Sequence, residues 1–329
     1  MLAPASSPLV SFVVPCYNYA RYLPDCLNSI FGQEGGYDFE IIAIDDASSD
    51  NTAQILREFS DPRLRVILHA KNLGHVATVN EGVSQARGAF IARIDPDDRY
   101  RPHFLTTALN KFAQFPEVGL VYGDAALIDG AGQVNAESSD QAHAGQDFKG
   151  NEFLRILEHN IICAPTAIAR REAWNKSMPI PSGLAFNDWY LNLMMARAFD
   201  VYYVNRVVAD YRVHASNHHT MIVRDKSEEP SIFQVLDRIF QEKESSSSLQ
   251  RAKQRAKRGI YAAQYLTLAD KYFGLRMDAD ARRCYLQAIK NRPGYLSRWD
   301  VQRHLAATLV SRGGYERGKS LVRSVLARG

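Results

Sequence analysis

Four short, largely apolar runs, each ended by a polar cluster, restrict this chain more than any other feature. They are Leu9–Val14, Phe39–Ile44, Leu64–Leu68 and Ala89–Ala92. Runs this short and this apolar are what strands buried on both faces of a parallel sheet look like. Between them the period changes. Tyr22, Leu23, Cys26, Leu27, Ile30 and Phe31 recur at helical spacing. Ser48–Thr52 offers helix caps ahead of Ile55, Leu56 and Phe59, and Val76–Ala86 forms a third helical stretch. Strand alternating with helix predicts an α/β fold, a mostly parallel sheet with helices on both faces. In such sheets ligands bind beyond the carboxyl ends of the strands. Here those ends carry Pro15-Cys16-Tyr17-Asn18, Asp45-Asp46 and Asp95–Asp98.

The last of these clusters, in ARIDPDDRYRP, places Asp95, Asp97 and Asp98 within a few residues, bracketed by Pro96 and Pro102. The prolines keep it out of a helix interior. Alone, such a run reads as a solvated acidic turn. At a strand end that converges with two other polar loops, it reads as a site for a hard divalent cation, Mn2+ or Mg2+. Neither a GxGxxG nor a GxxxxGK[ST] run occurs. A bound diphosphate would therefore need a metal to offset its charge.

Composition narrows the class. The chain has 329 residues, 46% of them hydrophobic and 23% charged, as ordinary folded proteins do. No apolar run reaches membrane-spanning length, and the first residues lack a basic and then apolar leader pattern. Cys16, Cys26, Cys163 and Cys284 are scattered without CxxC spacing, which suggests a reducing cytoplasm and no zinc site. The net charge of +4 conceals a split: residues 251–329 hold 18 Lys/Arg and 5 Asp/Glu, net +13, and the rest is net −9. This argues for two modules and a basic face with an anionic partner.

VVPCYNYARYLPDCLNSI, IDDASSDNT, KNLGHVATVNEG and ARIDPDD follow in order over about 90 residues. Together they resemble the inverting glycosyltransferases of family 2, with the GT-A (nucleotide-diphospho-sugar transferase) fold, over roughly residues 8–225. The resemblance implies that Pro15, Tyr17 and Asp46 line the pocket for the nucleotide base, with Asn18 in the same donor-binding loop and Asn72 and Gly74 at its border. It implies that Asp95 contacts the ribose and Asp97 binds the metal bridging the donor diphosphate. Read without it, Tyr17 is a packing aromatic and Asn72–Gly74 a tight turn. The family's Glu-Asp pair appears here as Asn187-Asp188, so Asp188 becomes the general base; its other reading is a helix cap. A YRxHxxN run, Tyr211–Asn217, is similar to one found in bacterial members. It suggests that His214 completes the metal shell or contacts a diphosphate oxygen and that Arg212 helps neutralise the diphosphate, although a lone histidine is more often structural.

Further along, Gly119–Asp124 and Val201–Val204 read as strands and residues 130–150 as a mobile loop. After Pro230–Ser248, a helix and serine linker, the chain reads as all-helical. Tyr265, Leu268, Ala269, Tyr272, Ala281, Tyr285, Ala288 and Pro293 follow tetratricopeptide spacing, and Trp299 opens a second, degenerate copy running to the end. The expected organisation is a GT-A domain over 1–228, a helix and linker over 229–250, and a basic helical module over 251–329. That module would pack on the catalytic domain, on another copy of the chain as a homo-oligomer, or through Arg251, Lys253, Arg255, Lys257 and Arg258 on the anionic inner face of the membrane.

The expected partners are a nucleoside-diphosphate sugar, UDP-linked, and a glycan or lipid-linked acceptor of bacterial surface polysaccharide synthesis, with no nucleic acid. The competing functions are a sugar-nucleotide nucleotidyltransferase and an inactive scaffold.

Overall fold

The computed structural model describes residues 9–139, 142–214 and 218–309, which form two compact units. The first comprises residues up to 156 together with 160–217. It opens with the expected alternation: β1 (Val10–Cys16), α1 (Leu23–Phe31), β2 (Phe39–Asp45), α2 (Thr52–Glu58), β3 (Leu64–Leu68), α3 (His75–Gln85) and β4 (Phe90–Arg93). It continues through β5 (Arg99–Tyr100), α4 (Phe104–Gln114), β6 (Val118–Ile128), β7 (Val134–Ala136), β8 (Phe148–Gly150), α5 (Phe153–Glu158), β9 (Ile168–Arg170), α6 (Arg171–Ser177), α7 (Asp188–Ala198) and β10 (Asp200–Arg212).

The strands lie in the order β3-β2-β1-β4-β9-β6-β10-β5, with β7 on β6 and β8 on β10. β3, β2, β1 and β4 are mutually parallel, as are β6 and β10, while β9 runs antiparallel between β4 and β6. Two short strands therefore occupy the stretch expected to be a loop. β7 and β8 have three residues each and a polar sequence, so no alternation announces them; backbone pairing to β6 and β10 defines them.

Successive side chains of β1 serve opposite layers. Phe12 and Val14 join Leu27 and Ile30 of α1, Leu56 of α2 and Phe104 of α4 in one core. Phe12 is fully buried, which contributes about 1.5–3 kcal/mol. Val13 faces the other way, against α3. A Cβ on Gly82 would lie 2.4 Å from Val13 Cγ1, so the helix approaches the sheet this closely because residue 82 has no side chain. On the same face Trp174 of α6 donates its indole N–H to the Ile91 carbonyl (2.9 Å). Helices thus cover both faces, and the polar strand ends are left as the open edge.

The second unit comprises residues 157–159 and those from 218 on. It contains α8 (His218–Arg224), α9 (Glu228–Gln241), α10 (Ser247–Gly274), α11 (Asp278–Asn291) and α12 (Trp299–Ala307). α10 and α11 form the hairpin whose spacing the sequence announces: Leu268, Ala269, Tyr272, Ala281, Tyr285 and Ala288 are all fully buried. α9 ends at Gln241, earlier than expected, and two of the linker serines open α10 instead. The remainder of the second repeat, residues 310–329, lies outside the described residues. No helix among the described residues is long and apolar enough to cross a membrane.

Of the five cations opening α10, Lys253 is not surface charge. It is fully buried, and its Nζ donates to the Ile239 (2.8 Å) and Glu242 (2.7 Å) carbonyls and pairs with Glu244. The end of α9 leaves carbonyls without helical partners, and Lys253 supplies them. Arg251, Arg255, Lys257 and Arg258 are exposed.

Candidate active site

The acidic turn begins where β4 ends. The Asp98 amide donates to the Asp95 carbonyl (3.0 Å), closing the turn. Asp97 and Asp98 are 5% and 1% exposed. Asp97 Oδ2 lies 3.1 Å from His214 Nε2. Asp98 Oδ1 accepts from the Arg212 amide (2.8 Å), whereas its Oδ2 is buried without a hydrogen-bond partner. Burial and then the Asp95 charge push the Asp97 carboxyl above its ordinary range, against the pull of His214. Burial and then Asp97 push Asp98 well above its ordinary range too.

An orphaned carboxylate oxygen and unbalanced negative charge are what a bound cation would relieve. Among the described residues no group of three or more His, Cys, Asp or Glu side chains could hold a metal ion. Asp97 with His214 is a partial set, suited to an ion whose other ligands are diphosphate and water, the common manner for magnesium-like ions.

Arg212, at the end of β10, differs from its expected place. It is 3% exposed, and it donates to the Asp97 carbonyl (2.6 Å), the Asp129 carbonyl (3.1 Å) and Asp25 Oδ2 (2.8 Å). Its guanidinium also lies 4.8 Å from the Tyr22 ring centre, and Tyr22 packs against the His214 ring. Arg212 is therefore a buried clamp that fixes the turn and His214. Asn217 of the same run lies outside the described residues.

At the end of β1, Pro15 is buried and Tyr17 is 46% exposed. Asn18 adopts φ +60° and ties this loop to the next: its amide donates to Ser48 Oγ (2.8 Å), and its Oδ1 accepts from the Ser49 amide (2.8 Å). Asp46, after β2, is 2% exposed and anchors the Asn72–Gly74 turn. Its Oδ1 accepts from Leu73 N (2.8 Å) and its Oδ2 from Gly74 N (2.9 Å). Gly74 has φ +89°, a conformation that favours glycine.

Asp188 is the first residue of α7. The preceding Asn187 makes no side-chain cap bond, and Asp188 Oδ2 accepts from Asn160 Nδ2 (3.0 Å). Asp188 lines a crevice with Arg93, Asn192, Trp174 and Met195. Arg93 closes β4 and is 6% exposed; its guanidinium donates to Asp95 Oδ1 (2.8 Å) and lies 3.1 Å from His75 Nε2. Burial works against its charge, but Asp95, then Asp188 and Asp98, hold it protonated. Arg93 thus pairs with the acidic turn and lines the crevice that Asp188 also lines. The motif reading passes over it, although a charge ending an apolar four-residue strand was the available signal. Together these elements can hold an anionic donor at one side and present a carboxylate to a hydroxyl at the other.

A family model described as "Glycosyl transferase family 2" matches residues 11–177. The succinoglycan biosynthesis protein ExoO of Rhizobium meliloti is 29% identical over 196 residues, 58% of this chain and 56% of that protein. The chain thus spans little more than half of that relative's length. S. aureus TarS 1–349, solved in complex with UDP-GlcNAc, shares 17% identity at a TM-score of 0.58, over 91% of this chain and 79% of that one. The mannosyltransferase PcManGT of Pyrobaculum calidifontis, in complex with GDP-Man and Mn2+, shares 16% identity at a TM-score of 0.59, over 93% and 85%. Both likenesses are of fold.

Proposed function

Because the chain belongs to glycosyl transferase family 2, and so is an enzyme of glycosyl transfer with the GT-A fold, we propose that it moves a sugar from a UDP-linked donor, with inversion, to a hydroxyl of a glycan or lipid-linked acceptor in surface polysaccharide synthesis. The likeness to the succinoglycan protein supports the pathway class; the structural neighbours, one holding UDP-GlcNAc and one GDP-Man with Mn2+, are in keeping with a nucleoside-diphosphate sugar, of which UDP-linked is the donor proposed here. The observation that carries this reading is the buried Asp97–His214 pair, together with Arg93, which pairs with Asp95 and lines the same crevice as Asp188.

Asp97 and His214 would hold Mn2+ or Mg2+, and Asp95 would meet the ribose. Such an ion acts as a Lewis acid that offsets the charge of the departing diphosphate. Asp188 takes the proton of the acceptor hydroxyl while that oxygen bonds to the anomeric carbon and the bond from that carbon to the diphosphate oxygen breaks. One displacement needs one base and no protein nucleophile. Tyr17 and the Asn72–Gly74 turn would border the base, and Arg212 would keep His214 and Asp97 in register.

Nucleoside diphosphate release from a panel of sugar nucleotides, with a polysaccharide-derived acceptor, tests the reading. Release from a UDP-sugar that a chelator stops supports it; release only from another nucleotide sugar would overturn the donor assignment.

A further inference from the structure

The turn that borders the proposed base pocket is fastened by a histidine outside every motif. His69 follows β3, and its side chain is 7% exposed. Its Nδ1 lies 2.7 Å from Asp46 Oδ1, and its Nε2 lies 3.0 Å from Glu81 Oε2 on α3. A neutral imidazole has one N–H and can donate to only one of these carboxylates; an imidazolium satisfies both. Asp46 in turn accepts the Leu73 and Gly74 amides, so the same carboxylate carries the histidine and the turn.

We propose that His69 is a positioning residue for the donor nucleotide: as an imidazolium it fastens Asp46, and through it the Asn72–Gly74 turn, so nucleotide affinity falls when the ring loses its proton. This rests on the reading that the turn borders the base.

The groups facing the ring are Asp46, from the end of β2, and Glu81. Burial works against the imidazolium, but hydrogen bonds to Asp46 and Glu81 outweigh it and raise its pKa. Burial pushes Asp46 up, but the Leu73, His69 and Gly74 donors together hold it below its ordinary range. A raised histidine pKa contributes stability that is complete below about 6.5, the ordinary value, and is lost as pH rises through the folded-state value. On deprotonation the ring keeps one N–H. Glu81, with a side chain 35% exposed, can turn to water; Asp46, whose side chain is 4% exposed, keeps at best a bond from a neutral donor and loses its ion-pair partner.

The test is calorimetry of UDP with Mg2+ from pH 6 to 9 on wild type, His69→Gln and Glu81→Gln, with amide NMR of the nucleotide-free protein. Dividing by His69→Gln removes the titration of the nucleotide's own phosphate. The wild-type Kd should then rise about three- to tenfold across the range, the scale of weakening one ion-paired hydrogen bond to one from a neutral donor. Glu81→Gln, at a partly exposed position, should move the midpoint to lower pH even if His69→Gln does not fold. The Leu73 and Gly74 amides should shift with the His69 midpoint. Amides indifferent to His69 would overturn the lock itself. Amides that follow His69 while UDP binds with an affinity indifferent to it would overturn its link to the nucleotide and with it the placing of the base at this turn; a protein that does not bind UDP at any pH would overturn the UDP-donor reading instead.

Discussion

Replacing Asp188 by Asn keeps the side chain's size and an oxygen for the Asn160 amide, and removes the acceptor for a proton. Asp188→Asn should fold, bind donor and lose turnover by about 10²–10⁴, the usual worth of a positioned base. Kinetics at saturating donor and acceptor check this; near-normal turnover would mean that another group is the base. At this scale the sequence located Asp95, Asp97 and Asp188 at the strand and helix ends where the structure places them. It was less informative where surroundings decide the role. Arg212 reads as a cation for phosphate, yet two carbonyls and Asp25 surround it. His69 lies beyond its strand and shows its role only once α3 folds back and brings Glu81 to it.

Among the elements, β1 packs closely on α3, the helix that follows the Asn72–Gly74 turn. Gly82→Ala would push a methyl into Val13, a stiff β-branched side chain on a buried strand. The expected cost is about 1–3 kcal/mol, read as a lower urea midpoint at unchanged slope; an unchanged midpoint would show that the sheet yields there. The first four strands and their helices were legible because each strand is a short, largely apolar run followed by a polar loop, although β3, at the sheet edge, is only partly buried. β7, β8 and β9 have three residues each, too few to show a period, and their existence depends on neighbours distant in sequence. α10 was legible in its buried tetratricopeptide-like half. The role of Lys253 was not, because composition cannot separate a cation that caps α9 from one that faces solvent.

Across the whole molecule, the +13 net charge of residues 251–329 is the ground for proposing an anionic surface, such as a membrane's, as a peripheral partner. Four exposed cations, Arg251, Arg255, Lys257 and Arg258, are worth roughly 1 kcal/mol each near such a surface. Flotation with anionic liposomes should show binding that weakens as salt rises and is lost when these four become Gln. Protein that stays in the soluble fraction at low salt would assign the charge to packing or self-association instead.

The central claim, that Asp97 with His214 holds the ion that binds the donor diphosphate, is tested most directly by calorimetry of UDP with and without Mn2+ on wild type and Asp97→Ala. Mn2+ should strengthen UDP binding to the wild type and have no effect on the variant, which lacks the carboxylate that would hold the ion. Metal-dependent affinity undiminished in Asp97→Ala would contradict it.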